Sequence, residues 1–99
     1  MTVYVDNYRH RLGRMLMSHM IADTEAEMHA MAAKIGVTRR HYQGDHYDVC
    51  EHKRLFAIQR HGAVAITPRA MAKLRRRLMA GERGRHRRPL ALTKTAELA

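Results

Sequence analysis

The stretch YRHRLGRMLMSHMIA, residues 8–22, decides the fold class, because it joins the first strand to the first clearly marked helix. Leu12, Met15, Leu16, Met20 and Ile21 fall near helical spacing, so the stretch reads as a short helix broken near Gly13. Upstream, TVYVD at 2–6 alternates β-branched and aromatic residues and reads as a strand ended by Asp6-Asn7. A helical connection here leaves strands and helices alternating through the rest of the chain.

Those later elements carry local signals. Thr24-x-x-Glu27 is a capping box, with Asp23 and Glu25 suited to the positive end of a helix. Met28, Met31, Ala32 and Ile35 follow the 3.6-residue period, and Gly36 stands where a helix would stop. VTRRHYQ, 37–43, reads as a polar edge strand. Asp48-x-x-Glu51 has cap spacing, which predicts a second helix from about Val49 to His61 burying Leu55, Ala57 and Ile58, with Gly62 as its stop. AVAIT, 63–67, is an apolar strand. Thr67-Pro68 opens a third helix with Met71, Leu74 and Leu78 on its apolar stripe, and Gly81 ends it.

Strand, helix, strand, helix, strand, helix predicts an α/β fold: a small three-stranded, mostly parallel sheet with flanking helices, a Rossmann-like mini-domain. The domain would span 1–80, followed by a flexible basic tail over 81–99. A chain of 99 residues has room for one modest core. Aromatics are scarce, so the eight Met are expected to fill irregular gaps in it. A domain this small could gain core by forming a homo-oligomer. The lone Cys50 offers no internal disulfide and fits a reducing compartment. The N-terminal residues lack the apolar run of a signal peptide, and nothing approaches the length of a membrane span; a cytoplasmic protein without a membrane partner is expected.

In a parallel sheet, ligands bind outside the carboxyl ends of the strands. The predicted topology brings Asp6, His19, Asp23, His46 and Asp48 to that edge, and these are the candidate ligands of a divalent metal. Asp6, His46 and Asp48 are the candidate catalytic residues, since a metal held there could activate water for phosphodiester hydrolysis. The plainer account makes Asp23 and Asp48 helix caps and His46 a hydrogen-bonded core histidine; no H-E-x-x-H or paired C-x-x-C is present. Carboxylates at the first two helix starts, and the lack of a Gly-rich loop, argue against a bare phosphate site. His29 reads as a boundary histidine bonded to a neighbouring segment, and Cys50 has no nucleophile motif around it.

Charge is distributed unevenly. The net charge is +10; residues 1–60 hold nine Lys+Arg against seven Asp+Glu, while 61–99 hold ten against two. Arg69, Lys73, Arg75, Arg76, Arg77, Arg83, Arg85, Arg87 and Arg88 form a candidate nucleic-acid-binding stretch interrupted by one acid, Glu82. A solvated helix face followed by a tail would look the same. No aromatic lies among these arginines, so base stacking is not expected there; Tyr8, Tyr42 and Tyr47 lie nearer the proposed edge, where strand-end packing is the commoner role.

VYVD at 3–6, His19 with Asp23 four residues on, MHAMAAKIGV at 28–37, GDHYDV at 44–49 and GAVAIT at 62–67 together resemble the small bacterial and phage family named domain of unknown function 4031. The likeness covers about 2–78, and GDHYDV is its most specific part. The family pattern has tryptophans in the first connection, where this chain has YRHRLGRMLMSHM. The resemblance implies a compact domain and a shared edge built from Asp6, His19, Asp23, His46 and Asp48, and implies no activity. Three functions follow as expectations. The first is a nucleic-acid-associated protein using the Arg-rich C-terminal third on DNA or RNA. The second is a metal-dependent phosphodiesterase-like hydrolase, and the third a non-catalytic accessory protein that binds another protein.

Overall fold

The computed structural model describes residues 2–82. Its first element, β1 (Val3–Val5), is the expected strand, with Val3 and Val5 buried. The next segment is not a helix. It forms a hairpin of β2 (His10–Leu12) and β3 (Met15–Ala22), paired antiparallel with Leu12 opposite Met15. Gly13 takes φ 62 at the first position of the two-residue turn, as a type II′ hairpin requires. Leu12, Met15 and Leu16, which supported the helical reading, are exposed, so their spacing reports no buried stripe.

This hairpin changes the sheet. β1 pairs antiparallel with Met20–Ala22 at the far end of β3, while β2 pairs with Met15–Met17 at the near end. On the other edge of β3 lies β4 (Tyr47–Cys50), also antiparallel. β5 (Val64–Ala65) joins β1 in the one parallel pairing among the described residues. The expected three-stranded, mostly parallel sheet is therefore a mixed sheet of five strands.

The remaining elements flank it. Helix α1 (Glu25–Lys34) starts at Thr24, whose Oγ1 accepts a hydrogen bond from the Glu27 amide at 3.2 Å. The expected strand over 37–43 is a 3₁₀ turn, Arg39–His41, followed by one isolated bridge from Tyr42 to Tyr47. Its polarity is that of a surface turn. Helix α2 (Glu51–His61) begins two residues later than expected, because Asp48 and Val49 belong to β4. Asp48 caps nothing; Cys50 holds the cap position and its side chain makes no capping bond. On α2, Ala57 and Arg54 are buried and Leu55 is exposed. Gly62, at φ 76, closes α2 in the left-handed region open to glycine. Helix α3 (Pro68–Arg77) is capped by Thr67, whose Oγ1 accepts from the Ala70 amide at 3.1 Å. It continues through a π turn over Leu78–Glu82, within which Gly81, the expected stop, leaves helical conformation.

One core joins these elements. Val5, Met20, Ile21, Met28, Ile35, Tyr47, Val49 and Met71 are almost completely buried. Met20, Met28, Met31 and Met71 take the gap-filling positions expected of methionine. Among the described residues no helix is long and apolar enough to cross a membrane. The tail expected over 81–99 lies outside the described residues, apart from Gly81 and Glu82 in the π turn.

Candidate metal centre

Between β1 and β2 the chain leaves the ladder for residues 6–9, and the Asp6 side chain fills the gap. Asp6 donates its amide to the His19 carbonyl at 3.0 Å. Its Oδ1 accepts the amides of His19 at 2.8 Å and Tyr8 at 3.2 Å. A carboxylate thus replaces a missing backbone carbonyl and lets one interrupted strand pair along the whole of β3. Ser18, fully buried, accepts the Arg9 amide at 3.2 Å and ties down the other side of the gap. Arg54 of α2 is also buried, and its Nε donates to the Asp6 carbonyl.

The same geometry orients a histidine. Asp6 Oδ2 lies 2.8 Å from His19 Nδ1. Burial pushes the Asp6 carboxyl up, but the His19 ring and the two amides outweigh it and hold Asp6 below its ordinary value. The ionised carboxylate can only accept, so Nδ1 carries the proton and Nε2 is the outward nitrogen of a neutral His19. Asp6 in turn raises the His19 pKa, against the opposing effect of burial.

A second pair repeats the arrangement from the turn before β4. Asp45 Oδ1 lies 2.7 Å from His46 Nδ1. The other oxygen of Asp45 takes Arg75 of α3, with Nε at 2.9 Å and a terminal nitrogen at 2.8 Å. Burial acts to raise Asp45, and the His46 and Arg75 contacts overcome it and lower its pKa. His46 is therefore also held by Nδ1, and its Nε2 lies 3.3 Å from Asp48 Oδ1.

The register of β3 and β4 brings the two pairs together. His19 stands directly opposite Asp48, so their side chains share a face. The His19 and His46 rings meet edge to face at 5.0 Å. His19, His46 and Asp48 each offer a ligand atom, and these atoms all lie within 4.8 Å of one another. Asp48 Oδ1 is buried and, apart from the approach of His46 Nε2 at 3.3 Å, has no hydrogen-bond partner among the described residues. Donors about 2.0–2.2 Å from a tetrahedral zinc ion lie about 3.3–3.6 Å apart. The His46–Asp48 pair already has that spacing, and a bound ion would draw His19 inward.

The other expected site residues divide cleanly. Asp6 belongs to the site as the orienting partner of His19, with both oxygens already engaged. Asp23 does not join it. Its carboxylate takes the Thr2 amide at 2.9 Å and the Tyr4 hydroxyl at 3.2 Å, at the opposite end of β1. The four residues separating Thr2 from Asp6 span about 13 Å of strand. Arg75 serves Asp45, while Arg69, Lys73, Arg76 and Arg77 are exposed on α3. Arg83, Arg85, Arg87 and Arg88 lie outside the described residues. His29 bonds Tyr47 Oη through Nδ1 at 2.7 Å. Sequence reasoning missed Asp45, Ser18 and Arg54. Only Asp45 had a signal, its adjacency to His46.

A family model described as protein of unknown function (DUF4031) matches residues 3–78. The chain belongs to this family. The match takes in all five strands and the paired histidines, so the candidate centre lies wholly within the DUF4031 domain. No curated protein and no solved structure matches the chain.

Proposed function

We propose that this DUF4031 domain is a metal-dependent hydrolase of phosphoesters, with His19 Nε2, His46 Nε2 and Asp48 Oδ1 as ligands of one borderline divalent cation of the zinc type. The observation that carries the reading is the pair of carboxylate–imidazole hydrogen bonds, Asp6–His19 and Asp45–His46, which turns both Nε2 atoms toward a buried Asp48 oxygen that has no hydrogen-bond donor among the described residues. Metal-binding histidines are characteristically held by a carboxylate on the other ring nitrogen. Two imidazoles and one carboxylate suit zinc better than magnesium or calcium, which prefer oxygen.

Three protein ligands leave a coordination position open for water, whose pKa a bound cation lowers toward neutrality. In the hydrolysis the water oxygen joins phosphorus, the ester P–O bond breaks and a water proton ends on the leaving oxygen. A groove of about 340 Å³, lined in part by Met17, Asp48, Cys50 and Lys53, gives a substrate room beside Asp48. The net charge of +10 favours an anionic substrate.

Hydrolysis of bis(p-nitrophenyl) phosphate by the full chain tests the reading. Turnover should require added Zn²⁺ or Mn²⁺, and Asp48→Asn should reduce it at least about 100-fold while leaving the circular dichroism unchanged. Equal turnover by Asp48→Asn would rule the assignment out.

Association with DNA or RNA through the C-terminal third is a second reading, favoured by the exposure of Arg69, Lys73 and Arg76 on α3. Deleting 83–99 and substituting those three residues should weaken salt-dependent nucleic-acid binding; unchanged affinity would dismiss it.

A further inference from the structure

We infer that the substrate of this centre is single-stranded nucleic acid, with a base stacked on Tyr8 and flanking phosphates held by the β2–β3 hairpin. The inference rests on the metal-site reading and adds the substrate class.

Tyr8 is 55% exposed, and its ring stacks on His19 with centroids 5.2 Å apart and planes 29° apart. His10 approaches the same ring at 5.4 Å. The outcome is a flat aromatic surface in contact with a candidate metal ligand. The other two tyrosines considered from sequence do not offer this. Tyr47 is buried, and Tyr42 packs against it and His29.

Exposed arginines follow Tyr8 along the chain and do not depend on the C-terminal third. Arg9, Arg11 and Arg14 are all exposed on the segment leading into and around the hairpin. Arg9 is the one non-glycine residue with positive φ among the described residues, at 56°. A long side chain held in that conformation beside a candidate site points to a role for it. Its ion pair with Glu51, at 3.2 Å, is exposed and weak enough for a phosphate to replace. Arg11 and Arg14 have no ion-pair partner among the described residues.

An exposed ring accepts any base by its π-face, and exposed arginines on the same segment attract the backbone by their charge. Duplex bases are stacked on one another and cannot lie on Tyr8 without being extruded. The ring therefore selects single strands, and selects them without sequence preference.

Fluorescence anisotropy of the full chain with labelled single strands of about 12 nucleotides, DNA and RNA, tests this. The matching duplex and heparin, a polyanion without bases, are the comparisons. Tyr8→Ala should weaken single-strand binding about tenfold, Tyr8→Phe should preserve it, and heparin binding should be the same in all three proteins. Single-strand affinity unchanged in Tyr8→Ala, or duplex binding as tight as single-strand binding, would overturn the inference. Zinc titration of the same proteins keeps the two readings apart. Intact zinc binding with no Tyr8 effect removes the substrate assignment alone. A Tyr8 effect in a chain that binds no zinc removes the metal centre and, with it, the strand's role as substrate.

Discussion

At the scale of single residues, Asp6 has two duties that a conservative substitution separates. Oδ1 completes the β3 ladder and Oδ2 fixes the His19 tautomer. Asp6→Asn retains a carbonyl oxygen for the His19 and Tyr8 amides but offers an NH₂ group to the ring. His19 Nδ1 must then accept, which moves the ring proton to Nε2 and takes away its lone pair. The expected cost is about 1 kcal/mol in folding stability and about 10–100-fold in zinc affinity. Thermal unfolding and zinc competition titration measure the two effects separately. A purely structural Asp6 would give the first without the second.

At the scale of elements, the hairpin positions the centre, because it turns β3 into the strand shared by β1, β2 and β4. Gly13→Ala measures what its turn contributes to the stability of that arrangement. A Cβ at Gly13 would meet no atom within 4 Å, so its cost is the positive φ alone, about 1–2 kcal/mol. The melting temperature should fall accordingly, and zinc affinity of the folded fraction should hold.

Much of this level was legible in the sequence. Thr24, Thr67, Gly36 and Gly62 marked helix ends by local hydrogen bonding and backbone conformation, which do not depend on distant partners. The hairpin was not legible by the same means. Leu12, Met15 and Leu16 mimic a helical stripe because hairpin residues can be apolar without being buried. Asp48 mimicked a cap because Asp-x-x-Glu is satisfied equally by a strand running straight into a helix. The candidate site was partly legible for a different reason. Asp6, His19, His46 and Asp48 were brought together by assuming that strand ends converge. The convergence that occurs instead comes from antiparallel register, His19 against Asp48. Asp23 was misplaced because it follows β3 at the sheet's opposite end, a fact only strand direction reveals.

At the scale of the whole molecule, the two carboxylate–imidazole pairs give the metal-free chain a pH window of stability. His19 has its pKa raised above 6.5 on folding, so its contribution is complete below about 6.5 and is lost as pH rises through the raised value. Asp6 and Asp45 have theirs lowered below 3.8, so their contributions are complete above that and are lost as pH falls through the lowered values. With chelator present, the melting temperature should be highest between these limits. Zinc reverses the upper limit, because a ligand histidine must be free of its Nε2 proton. Adding Zn²⁺ should move the optimum to higher pH, and an optimum that does not move would count against ligation by His19.

The proposed function depends on one ion held by His19, His46 and Asp48, and Co²⁺ in place of zinc reports it directly by its ligand-field absorption. Titration of the full chain should saturate at one equivalent with visible bands. The bands should vanish in His19→Ala and in His46→Ala, and persist in Asp23→Asn, whose carboxylate lies at the other end of β1. Absence of saturable bands in the wild type, or bands that survive both histidine substitutions, would contradict the account.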